Sequence, residues 1–502
     1  MKFRLLLASA VLATASISAY ADTFYVSPEG AGEKTGVDAE NAMALADFVS
    51  KVNTAGYAGG DTYNFAGGEY IFGENSVVAV SSGKCISLIG DENDQVTFNA
   101  NGAPCIIHYN GAANEVNVKN INFTGVKTNV DRSSATEKNE IGALMLQNCS
   151  KTTVENCSFY GNKAEGTLGG VALNIYGSAK VTLKNCKIYD NDVVARAAVY
   201  MHSDSPERGT TIFEDCLFNN NTSTDLGAAL FVQHAVQVVV NGCTFVDNNC
   251  TGASARGSVI YANGSANIND KKSYADKIYF INSTLAENLN EGGAQIFMAD
   301  NGHLWMINNV VVSKAEARAE ATPAIKFNNA AKATLVSGGY NYVGTTTNVP
   351  DNSWASTDQT DKDYASIFGT NTLNSNTGLI KPKTFVQGAS STQINAAIEE
   401  WGLPTGITIA DRGEDVAPGA GAFTQQQVST GIADIANDTD AVKVIALGGG
   451  NYTVAGYEGT VEVYSVSGAC VLTAVAPELN LSGLASGVYI VRAGKTVAKV
   501  VR

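Results

Sequence analysis

Asp190, Asp192 and Arg196 lie close together in the chain, and Asp225, Asp247 and Arg256 repeat the combination further on. Carboxylates that hold Ca²⁺ beside a guanidinium can acidify the proton next to a uronate carboxyl and remove it, the chemistry of an eliminating polysaccharide lyase. Asp190, Asp192, Arg196 and Arg256 are therefore the catalytic candidates. Against that reading, Asp190 and Asp247 each directly precede an asparagine in a turn-like stretch, and the acidic residues are too sparse to stack as a calcium cage. Hydrolysis would need two or three facing carboxylates, and none fall in register. The balance of residues favours a non-catalytic chain, with Ca²⁺ required only by a lyase and no other cofactor. No Cys or His cluster has metal-ligand spacing, and the chain has only 4 histidines, so no metal site is expected.

A second group suits binding rather than bond cleavage. Gly227-Ala228-Ala229-Leu230, Gly257-Ser258-Val259-Ile260 and Gly293-Ala294-Gln295-Ile296 share one signature. With the small residue and the Leu or Ile facing inward, the second and fourth residues after each Gly face outward. The outward column then contains Asn174, Met201, Phe231, Tyr261 and Phe297, with Leu144, Val199 and Val259 nearby. Met201, Phe231, Tyr261 and Phe297 are the ligand-binding candidates, because an exposed apolar strip marks a contact surface and aromatic faces suit sugar rings. A covering loop or the opposite phase would close the strip. His202 and His234 end two of these strands and read as loop-edge residues.

The elements that must position these residues are repeats. Val154–Asn162 (VENCSFYGN) is echoed at Leu183–Asn191, Phe213–Asn221, Val240–Asn248 and Phe280–Asn288, with the Cys157, Cys186, Cys216 and Cys243 column continuing as Ser283 and Asn309. Self-similarity at this period means a stacked repeat. Alternation of apolar and polar residues within each copy is strand-like. Short strands separated by Asn/Gly turns and one variable loop describe an all-β chain, a right-handed parallel β-helix. Stacking places like residues about 4.8 Å apart. The cysteines then point inward beside Phe159, Ile188, Phe218 and Phe245, while Asn162, Asn191, Asn221, Asn248 and Asn288 form a ladder at a turn. Free buried thiols are favoured over disulfides for the column, although adjacent rungs could bring two thiols together.

Taken in order, residues 1–21 read as a secretory signal. Lys2 and Arg4 precede an apolar run, and Ala19-Tyr20-Ala21 is a small-x-small cleavage site. Residues 22–60 form an N-terminal cap with a helix near Ala42–Val52, residues 61–337 the coils, and 338–425 an irregular closing segment with a helix at Thr392–Trp401. A linker spans 426–440, and 441–502 alternates like a small β-sandwich. The net charge of −15 argues against nucleic acid and anionic lipid as partners. No later stretch suits a transmembrane helix. A monomer, secreted or held at the cell surface, is expected.

Two resemblances join these residues. The opening FYVSPEG, the NCxF repeats and the Gly-small-x-Ile segments, with Asp411-Arg412-Gly413 through Ala417–Phe423 (APGAGAF), resemble bacterial β-helix surface proteins of the pectate-lyase-like, choice-of-anchor type. The phrase Leu479–Arg492 (LNLSGLASGVYIVR) and Lys495–Arg502 (KTVAKVVR) resemble the type A sorting domain of the type IX secretion system of Bacteroidota. Val463–Gly468 matches an earlier phrase of that domain, with departures at the turn positions Ser465 and Ala469. The second resemblance implies passage through type IX machinery and loss of the domain on export. Three functions then stand side by side: a non-catalytic module binding a polysaccharide or host-surface glycan, a polysaccharide lyase or hydrolase, and a structural surface spacer.

Overall fold

A computed structural model describes residues 21–501 except 74–75, 81–83, 113–114, 132–140, 204–208, 235, 265–275, 292, 300, 314–321, 375–377, 384–385, 404–418, 423–442, 449–450, 456, 466–468, 486 and 495. All but the last residue of the signal at 1–21, the whole of the linker at 426–440 and most of the Asp411–Phe423 phrase lie outside the described residues. The chain divides into two compact units, up to Thr424 and from Gln425.

The first unit is a stack of coils. One coil runs Lys151–Glu155, Ser158–Tyr160, Lys163–Ala164 and Leu173–Tyr176 before the next begins at Lys180. Each segment pairs in parallel with its counterparts above and below, which generates sheets of 12, 10, 6 and 10 strands, here sheets 1 to 4 in the order met along a coil. Parallel crossovers of this kind are right-handed, and the architecture is the right-handed parallel β-helix read from the repeats. A full coil uses four segments, of which the two-residue pieces of sheet 3 are too short to show a period in the sequence.

Why these residues form these strands is visible in a single coil. Thr152 and Val154 are buried while Lys151 faces solvent, so sheet 1 alternates in and out. Asn156, with φ of 53°, turns the chain sharply into sheet 2, as Asn185 and Asp215 do in the next coils. Inside, like residues stack: Phe123 on Phe159 at 4.9 Å and Phe218 on Phe245 at 4.4 Å. None of the nine cysteines is in a disulfide, and only Cys470 is exposed. In the column, each thiol donates to carbonyls rather than bridging to a neighbour: Cys186 Sγ lies 3.3 Å from the Lys184 carbonyl and 3.5 Å from that of Val154. Burial pushes the Cys157 and Cys216 thiols up, which keeps them protonated.

The asparagine ladder is buried. Asn162, Asn191, Asn221, Asn248 and Asn288 are at most 1% exposed. Each side-chain amide donates to the next Oδ1, at 3.0, 2.9, 2.8 and 3.0 Å in turn. The left-handed residue is the one before each Asn (Gly161, Asp190, Asn220, Asp247 and Glu287) and not the ladder residue itself.

The ends are closed differently. Thr23–Ser27 is already a rung, pairing with Met43–Ala44 and Thr62–Phe65. Helix α1 (Leu45–Asn53) buries Phe48 and Val52, with Phe48 against Tyr63 at 4.7 Å, and thereby covers the open top of the core. At the other end the closing segment folds back along the outside. Helix α2 (Tyr364–Ile367) and Ile380 pack on Val246, Ala286 and Val310 of sheet 2. Helix α3 (Ser391–Glu400) sets Ile394 and Ile398 on Val239, Tyr279 and Ile307 of sheet 1.

The second unit contains two antiparallel sheets. One holds Lys443–Gly448, Asn451–Ala455 and Glu478–Asn480, and the other Cys470–Val475, Thr460–Ser465, Val488–Ala493 and Thr496–Val501. Tyr452, Val454 and Leu479 from the first share a core with Val461, Val463 and Val491 from the second, a small sandwich. Among the described residues, no helix is long and apolar enough to cross a membrane.

Replacing Phe218, fully buried, by Ala should cost about 3–5 kcal/mol through the cavity left behind. Asn221→Ala should cost about 3 kcal/mol, because Asn191 loses its acceptor and the Ile188 carbonyl its donor. Asp225→Ala should cost under about 0.5 kcal/mol. Denaturation midpoints check this, and an Asn221 variant as stable as the Asp225 variant would show that the ladder contributes nothing.

Candidate ligand-binding face

Sheet 4 presents two outward columns. The strand Leu173–Tyr176 sends Leu173 and Ile175 into the core, so Asn174 and Tyr176 face out. Register then carries Asn174 to His108 and Met145 on one side and to Tyr200, Phe231, Tyr261, Phe297 and Lys326 on the other. The second column runs Asn110, Gln147, Tyr176, His202, Gln233 and Asn263.

The first column is an aromatic ladder, as expected for Phe231, Tyr261 and Phe297. Tyr200 and Phe231 lie 5.1 Å apart, Phe231 and Tyr261 5.3 Å, and Tyr261 and Phe297 5.7 Å. Met201 does not belong to it. Met201 is fully buried in the main core, and Tyr200 takes the outward place. The reason is local: Arg196, with φ of 66°, occupies the left-handed position held by Gly227 and Gly257 in the following coils. Counting four from Arg196 gives Tyr200, whereas counting from the small Ala197 gives Met201. Leu144, Val199 and Val259 are core residues too.

The ladder is also not exposed. Tyr200, Phe231, Tyr261 and Phe297 are 7, 1, 5 and 3% accessible. Leu168 and Leu226 pack against them. The Arg196 guanidinium sits 5.9 Å from the Tyr200 ring and 5.8 Å from the Phe231 ring, and Arg256 sits 5.6 Å from Phe297. A planar cation over an aromatic face contributes about 0.5–2 kcal/mol, so these arginines serve as a lid for the rings. Burial pushes the Tyr261 phenol up, against the opposing pull of Arg256.

The catalytic candidates therefore separate. Arg196 and Arg256 belong to the ring cover on sheet 4. Asp190 sits in the left-handed turn after sheet 2 and accepts from Asn220 Nδ2 at 2.7 Å. Asp192 points outward on sheet 3, accepting from the Thr222 hydroxyl at 2.8 Å and pairing with Lys163 at 3.7 Å. Like the rest of that exposed row, this pair is worth little.

What remains accessible is the second column with its neighbours, except Gln233, which is buried. Tyr176, His202, His234, Gln147 and Asn263 are half-buried. The rings of Tyr176 and His202 lie 5.2 Å apart, and those of His202 and His234 5.7 Å. Tyr200 donates to Gln233 Oε1 at 2.7 Å, and Gln233 Nε2 lies 3.3 Å from His234 Nε2. His108 Nε2 is 3.0 Å from Gln147 Oε1. The result is a row of flat rings and side-chain amides at rung spacing. Sequence reasoning stopped at the fourth residue after the Gly signature, and the same count carried to the sixth reaches Tyr176, His202, Gln233 and Asn263.

Residues 65–285 match the family described as a right handed beta helix region. No curated protein matches the chain. Among solved structures, the chain is similar to a pectate lyase at 14% identity, with 80% of this chain and 96% of that one covered and a TM-score of 0.38. A rhamnogalacturonan lyase follows at 13% identity, covering 74% and 98%, with a TM-score of 0.35. A lacto-N-biosidase from Eubacterium ramulus is 8% identical over 68% of this chain and 67% of its own, with a TM-score of 0.24.

Because the ladder is buried, Phe231→Ala should behave as a core truncation and cost about 3 kcal/mol or more. His202→Ala, on the accessible row, should cost under about 1 kcal/mol. Urea titrations of the two variants check this, and the reverse order would mean that the arginine lid is not seated on the rings.

Proposed function

We propose that the chain is an exported β-helix protein that binds an extended carbohydrate, a polysaccharide or host-surface glycan, along the outer edge of sheet 4 without cleaving it. The observation that carries this reading is the accessible row of Gln147, Tyr176 and His202 with His234 beside it, on adjacent rungs. Flat rings accept the apolar faces of sugars, and amides and imidazoles supply donors and acceptors for hydroxyls. One chain lying along the helix axis meets successive rungs about 4.8 Å apart. Binding is then weak per ring and grows with chain length.

In a glycan array followed by titration with the bound oligosaccharide, the double variant Tyr176→Ala, His202→Ala should lose about 30-fold in affinity, two contacts of roughly 1 kcal/mol each. The pair Asp190→Ala, Asp192→Ala should leave affinity unchanged, and chelator should have no effect. Calcium-dependent release of unsaturated uronate products, abolished in the aspartate pair, would replace this reading with a lyase.

Export is assigned to the leader at 1–21 and to the last unit, read as a type IX sorting domain. The support is the LSGLASGVYIVR phrase, whose Tyr489 and Val491 enter the core of a compact terminal sandwich. Deleting Val461–Arg502 in the producing bacterium should hold the protein in the periplasm. Normal amounts of truncated protein in the medium or on the surface would end the sorting assignment.

A further inference from the structure

The first rung of the β-helix holds a buried carboxylate with neutral partners. Asp61 is 7% exposed. Its Oδ2 accepts from the Tyr57 hydroxyl at 2.7 Å and the Tyr63 hydroxyl at 3.5 Å, and the two phenol oxygens are 3.0 Å apart. Its Oδ1 accepts from the backbone N–H of Asp22 at 3.2 Å. Burial pushes both phenols up, so they stay protonated donors. None of these partners carries a positive charge, and a buried carboxylate without a cation is costly.

Processing of the chain would supply that cation. The small-x-small sequence Ala19-Tyr20-Ala21 places cleavage directly before Asp22. Hydrolysis of the Ala21–Asp22 peptide bond by water leaves a carboxylate on Ala21 and an amine on Asp22, which takes up a proton at neutral pH. The nitrogen already 3.2 Å from Asp61 is then an ammonium. Its position is set by the sheet: Thr62 N–H donates to the Asp22 carbonyl at 2.9 Å, and Thr23 pairs with Thr62.

We propose that Asp61, held by Tyr57 and Tyr63, is the receptor for the α-ammonium of Asp22, and that cleavage after Ala21 completes the first rung with a charge-assisted hydrogen bond. The proposal rests on the export reading for its cleavage point. An ammonium adds the attraction of two opposite charges to the hydrogen bond that an amide N–H already makes to the carboxylate. The precursor therefore has a looser first strand than the processed chain. One residue more or fewer at the N-terminus moves the ammonium by a full residue step, about 3.8 Å, and breaks the pair.

The test uses residues 22–502, released from a fusion partner so that the chain begins at Asp22, beside the same chain begun at Ala21. The Asp22 chain should melt several degrees higher, and its α-amine should be acylated about tenfold more slowly, the effect of a one-unit rise in amine pKa. Asp61→Asn should abolish both differences. Equal melting and equal acylation of the two chains would overturn the proposal, even if Asp61→Asn failed to fold. Separately, the intact mass of protein collected from the producing bacterium reports its first residue. A start other than Asp22 would overturn the cleavage assignment, while the two released chains still judge the receptor by themselves.

Discussion

The constraint on which this molecule depends is the in-register pairing of parallel coils. Once Thr152 pairs with Val181 and Val181 with Thr211, every column must stack like upon like at one strand spacing. Shape and polarity are then satisfied column by column. Aromatic residues stack with the next coil's aromatic, and a buried amide finds its partner in the next coil's amide. The asparagine ladder follows from this directly: Asn221 passes its amide to Asn248 and receives that of Asn191. Such a chain of bonds must be ended as well as continued. Asn288 turns to Gln295, and the parallel row in the cysteine column closes from Asn309 through Asn341 to Asp358. Buried polar groups left over at either end would be costly.

The same register makes the outer faces unequal. On the early coils of sheet 1, Lys119 pairs with Glu155 at 2.7 Å and Lys151 with Glu115 at 2.8 Å, a solvated row that contributes little. On the later coils, Gln237–Asn241 and Lys277–Ile281 carry apolar residues on both faces, and the closing segment covers the outer one. Asn308 ties that cover down, accepting from the Ala389 N–H and donating to the Gly419 carbonyl. Sheet 4 follows a third course, with arginines rather than a helix over its rings. Where that cover stops, along Tyr176 and His202, a row of rings meets solvent. The binding reading follows from this accessibility, since rings in the ladder itself are spoken for by intramolecular partners.

The N-terminal rung shows the same logic applied to charge. Asp61 is placed by its strand where a phenol pair and a backbone nitrogen meet, and the nature of that nitrogen depends on whether the chain has been cut. A covalent event outside the fold would thus change an interaction inside it.

How much of this was legible in the residues alone follows from the reach of each signal. The period, the inward cysteine and phenylalanine columns, the asparagine ladder and helix α3 were all present in local spacing, because stacking converts a repeat in sequence into a column in space. The column containing Phe231, Tyr261 and Phe297 was legible for the same reason. Its phase at Met201 was not, because Arg196 adopts a left-handed conformation that nothing in its residue type announces. Nor could spacing reveal that the rings are covered. Burial of an outward face depends on which distant segment lies over it, and the segments that do so here are loops and helices from outside the repeat. The separation of Asp190 and Asp192 from Arg196 has a similar cause: a chain that turns sharply at left-handed residues sends near neighbours in sequence to different sheets. Sequence alone determined what stacks along the axis, and tertiary structure decided what remains exposed around it, because register is a local, repeated constraint whereas solvent access is set by contacts between segments far apart in the chain.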